Sequence, residues 1–210
     1  YVMLSAHLDS WDGAQGATDN GTGTIIMMEA ARLIQKYHPN NDRTIVIGHW
    51  GSEEQGLNGA RAYVMDTPLE TQKIKVLFNQ DSGTGRVNNI GGQGFAYSFD
   101  YLGRWLQQVP DDIRKHIKTD FPGMPQKGGT DNAAFVAAGV PAFNLGTQNW
   151  DYGQYTWHTN RDTYDKIVFE ELEKTLITTT ILALEAANDP NEISNERRVL
   201  PENTEWPEPV

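Results

Sequence analysis

The chain has 210 residues, 38% of them hydrophobic, which is enough for one sizeable core and predicts a single domain. Its formal net charge of −11 argues against nucleic acid or an anionic membrane as a partner, because both are negatively charged themselves. The sequence contains no cysteine, so disulfides and thiolate metal sites are excluded, and every apolar run is too short to cross a bilayer.

The first half of the chain alternates apolar runs with segments of helical spacing. Strands are predicted at residues 1–6, 44–50 and 75–79, and helices at residues 24–37 and from about residue 51 to residue 65. The chain starts inside the first of these strands, without an initiator methionine or a leader, so we expect a fragment of a longer polypeptide. Strand and helix alternating about every thirty residues predict a mostly parallel, helix-covered sheet.

The second half is less regular and ends in an acidic, proline-containing tail. In chain order, the predicted elements are a helix at 100–109, a connection with one strand at 110–127, a short helix at 130–138, a strand at 141–145, a loop at 146–163, a helix at 168–187 and a tail at 188–210. The loop is too long for a simple connector and is therefore a candidate functional segment. The tail is expected to lie along the surface or to be disordered.

Titratable residues follow the predicted strands, at the edge of a parallel sheet where ligands commonly bind. They are His7, Asp9, Asp19, Glu53, Glu54, Asp81 and His158. Several carboxylates gathered in one crevice, with no Lys or Arg in the local motifs, would repel one another unless cations held them together. A mixed set of nitrogen and oxygen ligands suits zinc.

Each of these motifs also has a purely structural interpretation. Ser52 and Gln55 fit a helix capping box, with acids in the first helical turn. Asp19 fits a helix cap, Asp81 a plain turn and His158 an ordinary loop histidine. Their joint occurrence in one crevice is what favours a functional site.

Taken together, the motifs resemble metallopeptidase family 28. They are His7-x-Asp9, the run from Ala17 to Gly23, the run from Gly51 to Leu57, Asp81-Ser82 and Trp157-His158-Thr159. They occur in the family's order over most of residues 1–187, and that family contains co-catalytic dizinc aminopeptidases, carboxypeptidase Q and the glutamate carboxypeptidases. The resemblance implies a three-layer α/β/α sandwich that lacks its N-terminal strands here.

The resemblance also implies roles for individual residues. Two zinc ions per chain would be held by shared ligands: Asp19 bridging both ions, His7 and Asp81 on one, and Glu54 and His158 on the other. Glu53 would be the general base and acid, and Asp9 would orient His7. Glu53 and Glu54 at successive helical positions would point about 100° apart, so that one binds metal while the other faces water.

The chain departs from the family pattern near the expected substrate pocket. Trp157 stands where some relatives carry a tyrosine that contacts the tetrahedral intermediate, and Asn132 stands where a histidine is common. The donor that stabilises the oxyanion is therefore open. The candidates for substrate contact are Tyr152, Tyr155, Trp157, Asp131 and Arg161.

We therefore expect a zinc-dependent exopeptidase domain at residues 1–187 that hydrolyses short peptides with metal-activated water, followed by the tail at 188–210. Whether it is an aminopeptidase, a carboxypeptidase or a dipeptidase is open, as is its oligomeric state. One alternative is an acyl transferase similar to glutaminyl cyclase, with a single zinc. Another is a catalytically silent binding domain of the same fold. The resemblance implies a secreted or periplasmic location.

Overall fold

A computed structural model describes residues 1–209 and contains seven strands and seven helices among them. The strands are β1 (Val2–His7), β2 (Ile45–Trp50), β3 (Val76–Asn79), β4 (Val87–Gly91), β5 (Lys118–Asp120), β6 (Ala142–Asn144) and β7 (Gly146–Thr147). The helices are α1 (Thr22–Tyr37), α2 (Asn58–Asp66), α3 (Pro68–Thr71), α4 (Ser98–Leu106), α5 (Asp111–Arg114), α6 (Asn132–Ala137) and α7 (Phe169–Asn188).

The main sheet has four parallel strands in the order β2-β1-β3-β6. Strand β1 lies at its centre, and all six of its residues are buried. The predicted strands at 1–6, 44–50, 75–79 and 141–145 are confirmed. Because the strands are parallel, their carboxyl ends share one edge, and the chain leaves that edge after His7, Trp50, Asn79 and Asn144.

Helices cover both faces of this sheet. Helix α1 buries Ile26, Met27, Ala30 and Ile34 at helical spacing and packs against α7 on one face. On the other face, the rings of Trp50, Tyr63 and Phe135 join β2 to α2 and α6. The expected three-layer arrangement is therefore confirmed.

A second, smaller sheet has the order β5-β4-β7, with β4 parallel to β5 and antiparallel to β7. Strands β4 and β7 were not predicted. In β4, the half-buried Asn88 and the exposed Asn89 interrupt the apolar pattern, so that the segment reads as a loop. Only contacts with β5 and β7 make it a strand.

The tail lies on the surface of the domain. Phe95 and Arg197 form a β-bridge, and the Trp206 ring lies 5.6 Å from the Phe95 ring. The Arg197 guanidinium donates hydrogen bonds to the carbonyl groups of Val136 and Ala137, at the end of α6. Within residues 1–209, no helix is both long enough and apolar enough to span a bilayer.

Candidate metal centre

The carboxyl ends of β1 and β3 bring a histidine and an aspartate together. His7 is the last residue of β1, and its side chain is fully buried. Its Nε2 lies 3.2 Å from Oδ1 of Asp81, which follows β3, and 3.3 Å from Oδ1 of Asp19. These three side chains, predicted from separate motifs, therefore share one point at the sheet edge.

Asp19 reaches this point from a single turn at Ala17–Gly21, just before α1. Asp162 holds the turn: its Oδ1 accepts hydrogen bonds from the Thr18 amide at 2.7 Å and hydroxyl at 2.8 Å, and its Oδ2 accepts one from the Asp19 amide at 2.9 Å. Asp162 is 1% exposed. Sequence reasoning missed this residue, although a carboxylate four residues after a candidate ligand, His158, was an available signal.

Asp9 supports two parts of the site at once. Its backbone oxygen lies 3.0 Å from Nδ1 of His7, while its carboxylate lies farther away, at 3.6 Å. That carboxylate accepts the amide hydrogens of Glu53 at 3.1 Å and Glu54 at 3.2 Å. The backbone of Asp9 therefore orients His7 more closely than its carboxylate does, and the carboxylate fixes the two glutamates.

The glutamates lie in a turn, so the predicted helix from residue 51 is wrong in its first part. Helix α2 begins only at Asn58, because Ser52, Gly56 and Leu57 all have positive φ values of 61°, 114° and 61°. The capping box is also wrong, since the Ser52 hydroxyl donates to the Gln55 side chain instead of to a helix amide. The adjacent glutamates diverge because the turn separates them, not because of helical geometry.

His158 approaches from the long loop that follows β7. Its Nε2 lies 2.9 Å from Oε2 of Glu54, whose side chain is 1% exposed. The imidazole is itself 31% exposed and stacks on the rings of Trp11 and Trp157. The loop thus brings the second predicted histidine to the second predicted glutamate.

The ligand atoms are close enough to hold cations. Two groups have all their donor atoms within 4.8 Å of one another: His7, Glu53 and Asp81 in one, and His7, Asp19 and Glu54 in the other. Oδ2 of Asp19 and Oε1 of Glu54 are buried without a hydrogen-bond partner, and the polar contact of Glu54 Oε2 is with His158 Nε2. Unpaired buried carboxylate oxygens are costly, and a bound cation would satisfy them.

Crowding of the carboxylates shifts their protonation. Burial raises the pKa of Glu53 to about 8, with repulsion from Asp81, and burial raises that of Glu54 to about 7, with repulsion from Asp19. Burial opposes protonation of His7, but hydrogen bonds with Asp19 and Asp81 outweigh it and raise its pKa to about 12. The cluster therefore holds excess protons when no cation balances its charge.

Two of the five candidates for substrate contact lie close to this cluster. Asp131 is fully buried with both carboxylate oxygens unpaired, and burial raises its pKa to about 7. Burial also raises the pKa of Tyr152, as do the nearby carboxylates of Asp81 and Asp19. The Tyr152 ring packs against Gly83, where a Cβ atom would approach it to 2.7 Å.

The remaining candidates lie farther out. Tyr155 is 43% exposed, and the Arg161 guanidinium lies 4.6 Å from the centre of its ring. Trp157 is 49% exposed and contacts the site through His158. Asn132, at the position where relatives commonly carry histidine, donates to the Gln126 side chain at 3.2 Å.

The sequence profile of peptidase family M28 matches residues 1–182. The chain belongs to peptidase family M28. Among its relatives, leucine aminopeptidase 2 of Arthroderma otae is 31% identical over 159 residues, covering 70% of this chain and 30% of that protein. Mouse carboxypeptidase Q is 30% identical over 172 residues, covering 77% and 33%. This M28 chain thus matches only about a third of the length of these curated relatives.

Solved structures show the same fold. A peptidase M28 precursor from Shewanella amazonensis superposes with a TM-score of 0.82 at 29% identity, covering 96% of this chain and 43% of that one. A zinc aminopeptidase from Bacillus subtilis superposes with a TM-score of 0.71 at 26% identity, covering 92% and 48%. The M28 fold is therefore shared over nearly the whole described chain.

Proposed function

We propose that this M28 chain is the catalytic part of a zinc-dependent exopeptidase that removes residues from the ends of short peptides. The observation that carries the proposal is the cluster of potential ligand atoms from His7, Asp19, Glu54 and Asp81 at one sheet edge, which includes buried carboxylate oxygens without a hydrogen-bond partner. An aminopeptidase and a carboxypeptidase both occur among the named relatives, which supports terminal hydrolysis and leaves the choice of terminus open.

The chain's own residues fit a site for two zinc ions. The proposed ligands are His7 and Asp81 for one ion, Glu54 and His158 for the other, and Asp19 between them. When bound, the ions would supply Lewis-acid polarisation of the scissile carbonyl and of an attacking water. Asp9 and Asp162 would hold the ligands in place, through the contacts with His7, the glutamates and the Asp19 amide.

Glu53 is the proposed proton carrier. Its amide is fixed by Asp9, and one of its carboxylate oxygens lies within 4.8 Å of the ligand atoms of His7 and Asp81. A carboxylate this close to the proposed ligands can accept a proton from a water activated there. It would accept the proton that the attacking water loses and then deliver that proton to the leaving amine nitrogen. The water oxygen would bond to the scissile carbonyl carbon, the C–N bond would break, and the amine would leave with the transferred proton, without any redox change.

Tyr152 is the proposed donor to the oxyanion. Tyr152 is half-buried beside the cluster, and burial and the charges of Asp81 and Asp19 raise its pKa, so its hydroxyl stays protonated at neutral pH. An O–H group donated to developing negative charge would stabilise the transition state more than the ground state. The loop tyrosine Tyr152 would thereby replace the donor that some relatives carry at the position of Trp157.

The test is the variant Glu53→Gln, compared with Glu173→Gln on the exposed surface of α7. We expect Glu53→Gln to keep its zinc, counted by elemental analysis, and to lose hydrolysis of dipeptides, amino-acid anilides and end-blocked peptides. Glu173→Gln should keep both zinc and activity. Full activity in Glu53→Gln would remove the proposed role of that residue.

The same assays separate the two alternatives. A single bound zinc with formation of pyroglutamate from glutaminyl peptides would indicate an acyl transferase similar to glutaminyl cyclase. Zinc binding with no turnover of any peptide would indicate a silent domain. A secreted or periplasmic location, and peptides as the partners of the site, belong to the same proposal.

A further inference from the structure

The His158 imidazole lies between two indole rings. Its centroid is 4.1 Å from that of Trp11, with the planes 6° apart, and 4.1 Å from that of Trp157, with the planes 29° apart. Two indoles cannot occupy the same face of one imidazole at this distance. They must therefore cover its opposite faces and fix its plane.

Polar contacts leave that plane poorly determined. Within residues 1–209, Glu54 is the only acidic side chain within 4.0 Å of the His158 ring nitrogens, at Nε2, and Nδ1 makes no hydrogen bond. Histidine ligands of metals normally have their second ring nitrogen held by a hydrogen bond, as the Asp9 oxygen holds His7 here. At His158, ring stacking replaces the hydrogen bond that would hold the second ring nitrogen.

Trp11 and Trp157 are not equivalent in this stack. Trp157 is the chain neighbour of His158 and moves with it, whereas Trp11 comes from the loop after β1. That loop is tied down by Gln15, whose amide donates to the Asp162 backbone oxygen at 3.2 Å and whose side chain accepts the Tyr164 amide at 3.2 Å. Trp11 therefore provides a fixed surface against which the His158 ring packs.

We propose that Trp11 is a positioning residue for the second metal ligand set. Its indole holds the His158 imidazole in the orientation needed for zinc binding. The exposed loop therefore loses its conformational entropy before the ion binds, and zinc binding becomes more favourable. The inference rests on the proposed two-zinc function and assigns Trp11 a part in it. The proposal assigns Trp11 no direct contact with zinc.

The first measurement is zinc affinity, by competition with a chromophoric chelator, in Trp11→Ala, Trp11→Phe and the control Trp150→Ala. Trp150 is an exposed indole on the His158 loop that makes no ring contact with His158. In Trp11→Ala, we expect the zinc site proposed at Glu54 and His158 to lose threefold to tenfold in affinity, about what one aromatic pair contributes. The site proposed at His7 and Asp81 should be unchanged, Trp11→Phe should recover most of the loss, and Trp150→Ala should match the wild type.

The second measurement uses metal-free protein and proton NMR of the His158 ring. Ring currents from two stacked indoles should move its proton resonances upfield, and Trp11→Ala should remove much of that shift while Trp150→Ala should not. An unshifted wild-type ring would overturn the stack itself. Two zinc ions bound with unchanged affinity in Trp11→Ala would overturn the positioning role alone, whereas failure of the wild type to bind a second zinc would overturn the proposed function.

Discussion

The two histidines of the candidate centre are held in opposite ways. His7 ends a central strand, is fully buried, and has an oxygen contact at each ring nitrogen. His158 lies on a long loop, has a positive φ of 55°, is 31% exposed and depends on stacked indoles. One half of the centre is thus built by the sheet, and the other half by contacts between loops.

The largest effect should come from removing each histidine in turn. Because His7 is a proposed ligand of one ion and also contacts Asp19, the proposed ligand between the two ions, His7→Ala should lose its own ion, weaken binding of the other and reduce hydrolysis to the uncatalysed background. His158→Ala should keep the ion held by His7 and Asp81. Elemental analysis counts the zinc, and His38→Ala, at the exposed end of α1, is the control. Equal zinc loss in both site variants would remove the difference between the two halves.

Within the loop, the two tyrosines should differ sharply. Tyr152→Phe removes the proposed oxyanion donor and should lower kcat about 100-fold, the usual effect of losing one such donor. Tyr155→Phe, on the exposed side of the same loop, should leave kcat unchanged. Steady-state kinetics on a dipeptide measures both, and equal values for the two variants would exclude Tyr152 as the donor.

Asp162 joins the two halves, so its removal should affect folding as well as zinc binding. Asp162→Ala leaves the buried Thr18 and Asp19 amides unpaired and should lower the free energy of unfolding by about 1–3 kcal/mol. Urea denaturation measures this loss. Asp165→Ala, which removes an exposed carboxylate three residues later, should cause no measurable change. A similar free energy of unfolding for the two variants would contradict the role of Asp162 in holding the turn at Ala17–Gly21.

The smallest and most gradual effect should be a pH dependence of the metal-free protein. The folded pKa values of Glu53 and Glu54, about 8 and about 7, lie above the ordinary value of 4.5, so the folded state binds more protons between these limits. Stability should therefore fall as pH rises from about 4.5 to about 8. Urea denaturation in chelator should show this slope, zinc should reduce it, and Glu53→Gln should remove part of it.

Sequence patterns located the half of the site that depends on strands. The apolar runs before His7 and Asp81 predict β1 and β3, and parallel pairing then places the two side chains together. The order of the motifs likewise indicated Glu54 and His158 as partners. These inferences need only the positions of the apolar runs and the parallel direction of the strands.

The rest depends on contacts that no local pattern contains. The turn at Glu53 and Glu54 forms because a carboxylate from another loop accepts their amides, while local preference favours a helix. Asp162 and Trp11 act only through residues far away in the chain. Strand β4 is likewise a strand because of its neighbours, not because of its own side chains.

The hydrogen bond between Thr18 and Asp162 joins residues 144 positions apart, which has a consequence for biosynthesis. Chains emerge from the ribosome from the amino end, and strands β1, β2 and β3 lie within the first 79 residues. Asp162 and His158 emerge much later, after β6 has been made. A nascent chain can therefore pair its central strands well before it can assemble the centre, so the proposed hydrolytic chemistry stays off until the loop that carries His158 and Asp162 has been synthesised.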